Sequence, residues 1–165
     1  MKPVSILLTL AAVMTALFLS GCATLSDNYG TPPTSAAREA MLESIHNEAP
    51  GDYYIGRRYF KIDYKFWGYI RRPGQSWSTA KLVMLNEQKH LAPDREKNAI
   101  GTDNGYEYKL FGKFSGDTVY EPASNGFYPE FVLTGCELIS TAPAGIFKTP
   151  VAALDPTRRV IADPY

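Results

Sequence analysis

An excess of charge of one sign is what this sequence most plainly lacks. Its 165 residues hold 17 Lys and Arg against 17 Asp and Glu. A nucleic-acid surface needs a clear cationic excess to meet the phosphate backbone, so nucleic acid is not expected as a partner. Histidine is scarce: His46 and His90 have no second ligand at the short spacings of zinc sites. The chain carries no Gly-x-Ser-x-Gly elbow and no phosphate-cradling glycine loop. Neither a metal nor a cofactor is therefore implied. Two cysteines, Cys22 and Cys136, are too few for a disulfide framework.

Aromatic residues, by contrast, are plentiful, at 13% of the chain with 11 Tyr and 8 Phe. These residues favour strands and argue against disorder. The length suits a single domain with its own core.

The first residues have a distinct pattern. Lys2 is followed by an apolar run from Val4 to Leu19, broken by Ser5, Thr9 and Thr15, and then by Ser20-Gly21-Cys22. The run is short for a membrane span, which needs about 20 residues, and fits a signal-peptide core closed by small residues. Leu19-Ser20-Gly21-Cys22 resembles the lipobox of bacterial lipoproteins. That resemblance implies a diacylglyceryl thioether on Cys22, cleavage before it, and acylation of the new amino terminus. Several acyl chains meet the two-signal requirement for stable anchoring. Ala23 stands where Asp marks inner-membrane retention in enteric bacteria, so the resemblance favours the periplasmic face of the outer membrane. A lipidated Cys22 leaves Cys136 without a disulfide partner.

The expected division is leader 1–21, lipidated terminus and tether 22–34, a β domain with a leading helix over 35–140, and a proline-containing irregular tail over 141–165. The helix is expected from Ala36 to Glu48, capped at Thr34 or Ser35, with Met41, Leu42 and Ile45 as its apolar stripe. Period-two alternation from Phe60 to Arg71 predicts one long strand bent at Gly68. Further strands are expected at Thr79–Asn86, Tyr106–Phe114, Thr118–Glu121 and Glu130–Ile139, with a loop over Pro122–Pro129. The fold class is therefore mainly β: a small five-stranded antiparallel barrel resembling the oligonucleotide/oligosaccharide-binding (OB) barrel, without that fold's usual helix between strands 3 and 4. The alternative is an open antiparallel sheet capped by the helix.

The candidate binding face is aromatic and basic. Tyr59, Trp67, Tyr69 and Arg71 fall on the odd, non-core side of the first strand, with Arg72 and Trp77 in the following turn. Such side chains offer flat faces and a forked donor to a ligand. The same pattern arises when aromatics pack beneath a helix or tail with arginines over them. Asp94, Glu96, Asp103, Glu107, Glu121 and Glu130 are carboxylates from which a glycan-cleaving pair would come, and they read equally as solvated loop charges. Cys136 lies mid-strand, where a cysteine is normally inward and inert; His90 is its conceivable partner in a nucleophilic pair.

The leading expectation is a non-catalytic envelope lipoprotein, bound to a membrane through its acyl chains, with a protein-binding or structural β domain. A glycan- or peptidoglycan-binding module is the alternative, and a carboxylate-dependent hydrolase comes third.

Overall fold

The computed structural model describes residues 33–64 and 66–165. The segments expected to be leader and tether, with Cys22, lie up to residue 32 outside the described residues.

Helix α1 spans Ser35–His46. The Thr34 hydroxyl accepts from the Ala37 N–H at 3.2 Å, satisfying one of the amides that a helix start leaves unpaired. Only Ile45 of the stripe is buried; Met41 is half-buried and Leu42 is exposed. α1 thus leans on the sheet through its C-terminal half.

Five strands follow: β1 (Tyr54–Tyr59), β2 (Trp67–Arg71), β3 (Lys81–Asn86), β4 (Glu107–Glu121) and β5 (Gly126–Ser140). They close into a barrel in the order β1-β2-β3-β5-β4, an OB-like arrangement. Most pairs are antiparallel. The seam between β3 and β5 is parallel, with Met84 opposite Glu130 and Asn86 opposite Val132, so the barrel is mixed rather than wholly antiparallel. Parallel neighbours need a long crossover, here residues 87–125 including β4. A four-residue helix, α2 (Pro93–Glu96), lies in the β3–β4 connection, where no helix is expected from the sequence.

The long strand expected from Phe60 to Arg71 is strand only over its last five residues, Trp67–Arg71, and its first half belongs to the connection from β1. β1 ends at Tyr59, the chain turns, and β2 begins at Trp67 directly opposite Tyr59. The turn carries no Gly or Pro signal because tertiary contacts hold it: the Lys61 ammonium donates to the carbonyls of Ala152 and Asp155 at 3.2 and 2.7 Å. Gly68 is a point of close approach, since a Cβ there would lie 2.7 Å from the Arg57 carbonyl oxygen. The breaks expected at 115–117 and 122–129 also differ. β4 runs through the first as a bulge, with a register shift between Phe114 and Thr118 and Gly116 at φ 95°. The second shrinks to a turn closed by the Asn125 N–H on the Pro122 carbonyl at 3.3 Å.

Side chains alternate between two apolar layers. Ile70, Val83, Leu85, Leu110, Phe131 and Leu133 fill the barrel. Ile55, Tyr59, Trp67, Tyr69 and Met84 point outward from the same strands into a second layer. That layer is closed by Ile45 of α1 and by the tail, through Ile146, Phe147 and Ala153 of α3 (Pro150–Leu154). The tail after Ser140 therefore packs on the barrel, and an isolated bridge pairs Phe147 with Pro164. Burying each large aromatic in this layer contributes about 1.5–3 kcal/mol. Among the described residues, no helix is long and apolar enough to cross a membrane.

Candidate functional site

The aromatic face anticipated from the sequence forms, but it is covered. Tyr59, Trp67 and Tyr69 are buried. The Phe147 ring centre lies 5.1 Å from that of Tyr59 and 5.5 Å from that of Tyr69. The Tyr69 hydroxyl donates to the Ala162 carbonyl at 2.5 Å. Burial raises the pKa of both phenols, so both hydroxyls stay protonated. Of the two readings open from the sequence, an open face or aromatics packed beneath a helix or tail, these three residues follow the second.

The remaining candidates separate. Arg72 lies at the rim with its side chain 44% exposed, pairing with Asp52 at 3.3 Å and lying over the Tyr54 ring at 4.0 Å. Arg71 and Trp77 instead sit at the floor of a cleft between α1 and the barrel, with a volume of about 400 Å³. Ala37, Ala40 and Met41 line it on the α1 side, and Ile139 and Ala144 lie opposite.

The floor is built around Trp77, which is 1% exposed. The guanidinium carbons of Arg57 and Arg71 stand 4.9 and 4.6 Å from its ring centre, within cation–π range. Each arginine carries its own carboxylate. Arg57, on β1, donates from Nε and Nη2 to Glu107 Oε2 at 2.9 and 2.7 Å, and from Nη1 to the Ala144 carbonyl at 2.6 Å. Arg71, on β2, forks onto both oxygens of Glu48 at 2.6 Å each, and Glu48 also accepts from the Gly74 N–H at 2.8 Å. Glu48 therefore pins the segment just after α1 to the barrel. Two donors beneath the floor, Arg71 Nε and Trp77 Nε1, are buried and have no hydrogen-bond partner.

Sequence reasoning missed Glu48 and Glu107 as partners of these arginines. Glu107 is opposite Arg57 in the β1–β4 register, a cross-strand pair that only the barrel order reveals.

The loop carboxylates are mostly occupied elsewhere. Asp94 and Asp103 both accept from Arg58 Nη1, at 2.7 and 2.5 Å, inside one end of the barrel. Tyr108 donates its hydroxyl to Asp103 at 3.0 Å, and Glu87 pairs with Arg95 beside them. Burial raises the Asp103 pKa and the Asp94 charge adds to this, while Arg58 opposes both. Burial likewise lowers the Arg95 pKa to about 9, with repulsion from Arg58 adding to the effect. Glu121 is buried and accepts from the Ser124 N–H at 2.7 Å, while Glu130 accepts from Asn86 Nδ2 at 2.9 Å. Glu96 is exposed. The Asp94–Asp103 pair clamps the 87–106 loop and is sealed from water.

Cys136 and His90 do come together, with Sγ 3.5 Å from Nε2. Burial raises the thiol pKa, which keeps it in the weakly nucleophilic neutral form. Among the described residues, no group of three or more His, Cys, Asp or Glu side chains could hold a metal ion. Comparison with known proteins gave no match to a family model, to a curated protein or to a solved structure.

Proposed function

We propose that this chain is a lipoprotein held by acyl chains on Cys22 at the periplasmic face of the outer membrane. On this reading its barrel is a non-catalytic module that binds an envelope partner in the cleft beside α1. The lipobox-like Leu19-Ser20-Gly21-Cys22 at the end of an apolar leader supports the anchoring.

The observation that carries the binding role is the cleft of about 400 Å³ over Trp77, Arg57 and Arg71. It is concave, part apolar and part polar, as ligand sites commonly are. Its charged groups are engaged with one another rather than aimed at a reacting atom, which supports binding over catalysis. A structural role is the second reading, favoured by the tail's cover over Tyr59, Trp67 and Tyr69.

Two measurements test the proposal. Mass spectrometry of protein from its native host should find the peptide beginning at Cys22 carrying fatty-acid mass; an intact leader or a bare cysteine rejects the anchor. Envelope capture with the full mature chain should be lost in Ala37→Trp, which fills the cleft, and kept in Glu39→Trp, on an exposed position of the same helix. Equal capture by both variants rejects the cleft as the binding site.

A further inference from the structure

We propose that the cleft takes a neutral, hydroxyl-rich ligand of the sugar class, a short stretch of uncharged polysaccharide. This rests on the reading of the cleft as the binding site and adds the chemistry of its occupant.

Charge comes first. Each guanidinium at the floor already holds a carboxylate, Arg57 with Glu107 at 2.7 Å and Arg71 with Glu48 at 2.6 Å. An incoming anion finds both cations neutralised, and an incoming cation finds both carboxylates engaged. The site therefore selects for an uncharged molecule.

Unused hydrogen-bonding capacity then sets what that molecule must offer. Glu107 takes both Arg57 bonds on Oε2, which leaves Oε1 for a further donor. Ser44 and Ser140 add hydroxyls to the lining. A partner must both donate and accept at close spacing, as a hydroxyl does. An extended peptide provides one N–H and one C=O per about 3.3 Å of chain, whereas a sugar ring carries a hydroxyl on most of its carbons. The density of polar groups in so small a space favours the sugar. The methyl-rich wall of Ala37, Ala40 and Met41 suits the C–H faces of such rings. A volume of about 400 Å³ sits near the small end of the range of ligand pockets, about 300–1,000 Å³.

This cleft lies apart from the β2–β3 face on which OB-type barrels take oligosaccharides and oligonucleotides. That face is the one closed here by Phe147 and the tail.

The test uses the full mature chain in detergent, titrated calorimetrically with neutral N-acetylglucosamine oligosaccharides. A sulfated oligosaccharide and an uncharged Gly-Ser-Ala peptide serve as comparators. Saccharide binding is expected with little dependence on salt, because no ion pair forms. Ala37→Trp should weaken it by about tenfold or more. Ser44→Ala removes an exposed lining hydroxyl and should weaken it by about threefold. Circular dichroism confirms that each variant is folded; Ala37, half-buried on α1, provides a test that does not disturb the ion pairs. Tighter binding of the sulfated oligomer or of the peptide, or unchanged saccharide affinity in Ala37→Trp, overturns the inference. If no saccharide binds while Ala37→Trp still abolishes envelope capture, the sugar assignment falls and the binding role stands. If Ala37→Trp alters neither, both fall.

Discussion

Cys136 Sγ lies 3.5 Å from His90 Nε2, yet the pair lacks the setting of a nucleophile and its base. Burial is the largest influence on the thiol and raises its pKa; Glu96 and Asp103 push the same way, and only Arg58 opposes. An activated cysteine needs the reverse balance, a surplus of positive potential around a partly open sulfur.

Alkylation should therefore be slow. Iodoacetamide is expected to modify native Cys136 at least about tenfold more slowly than a free cysteine at pH 8, with the rate still climbing at higher pH. His90→Ala should change that rate by less than about twofold. Rapid labelling near neutral pH, abolished by His90→Ala, would revive the nucleophilic pair.

Arg58 holds Asp94 and Asp103 together within the barrel end. Arg58→Met leaves two carboxylates buried without their cation, and breaking such a pair from one side costs about 3–5 kcal/mol. The denaturant midpoint should fall accordingly. A loss below about 1 kcal/mol would mean that water reaches the cluster.

Asp103 gives a pH signature of definite sign. Its pKa is raised in the fold, chiefly by burial, so the folded state holds the proton more tightly than the unfolded chain does. Its contribution to stability is full below the unfolded value, about 3.9, and is lost as pH rises through the folded value. Asp103→Asn removes this dependence. The stability of the parent protein relative to Asp103→Asn should therefore decline as pH is raised across the carboxylate range. An advantage that grows with pH would contradict the assignment.

Phe147 is the tail's main wedge against Tyr59 and Tyr69. Phe147→Ala should cost about 3–5 kcal/mol, the usual price of removing a buried ring. Tryptophan emission should shift to the red, because Trp67 packs in the same layer. An unshifted spectrum with native stability would show that the tail is dispensable to the barrel.

Much of the barrel was legible because alternation is a direct record of a pleat. Tyr106 to Phe114 alternates in the sequence, and Tyr108 and Leu110 do face the interior. β1 was not legible, and its two arginines explain why. Arg57 and Arg58 are consecutive and so point to opposite sides, one to Glu107 over Trp77 and the other inward to Asp94 and Asp103. Adjacent charges read as solvent-facing chain, and only distant acids make both positions habitable. The tail was illegible for a related reason. Ile146, Phe147 and Ala153 follow neither a helical nor a strand period, so nothing local marks them as core. The cleft rests on Glu48 and Glu107, which lie 59 positions apart in sequence and carry no motif.

The short parallel seam has a kinetic corollary. Closure depends on Met84, Leu85 and Asn86 meeting Glu130, Phe131 and Val132, segments separated by most of the β3–β4–β5 stretch. Contacts so distant along the polypeptide form late, after the entropy of a large loop has been overcome. The β1–β2 hairpin can assemble locally and early. Until the last strand arrives, β3 offers an unguarded flank, and a nascent or truncated chain ending before Gly126 is the form most exposed to self-association.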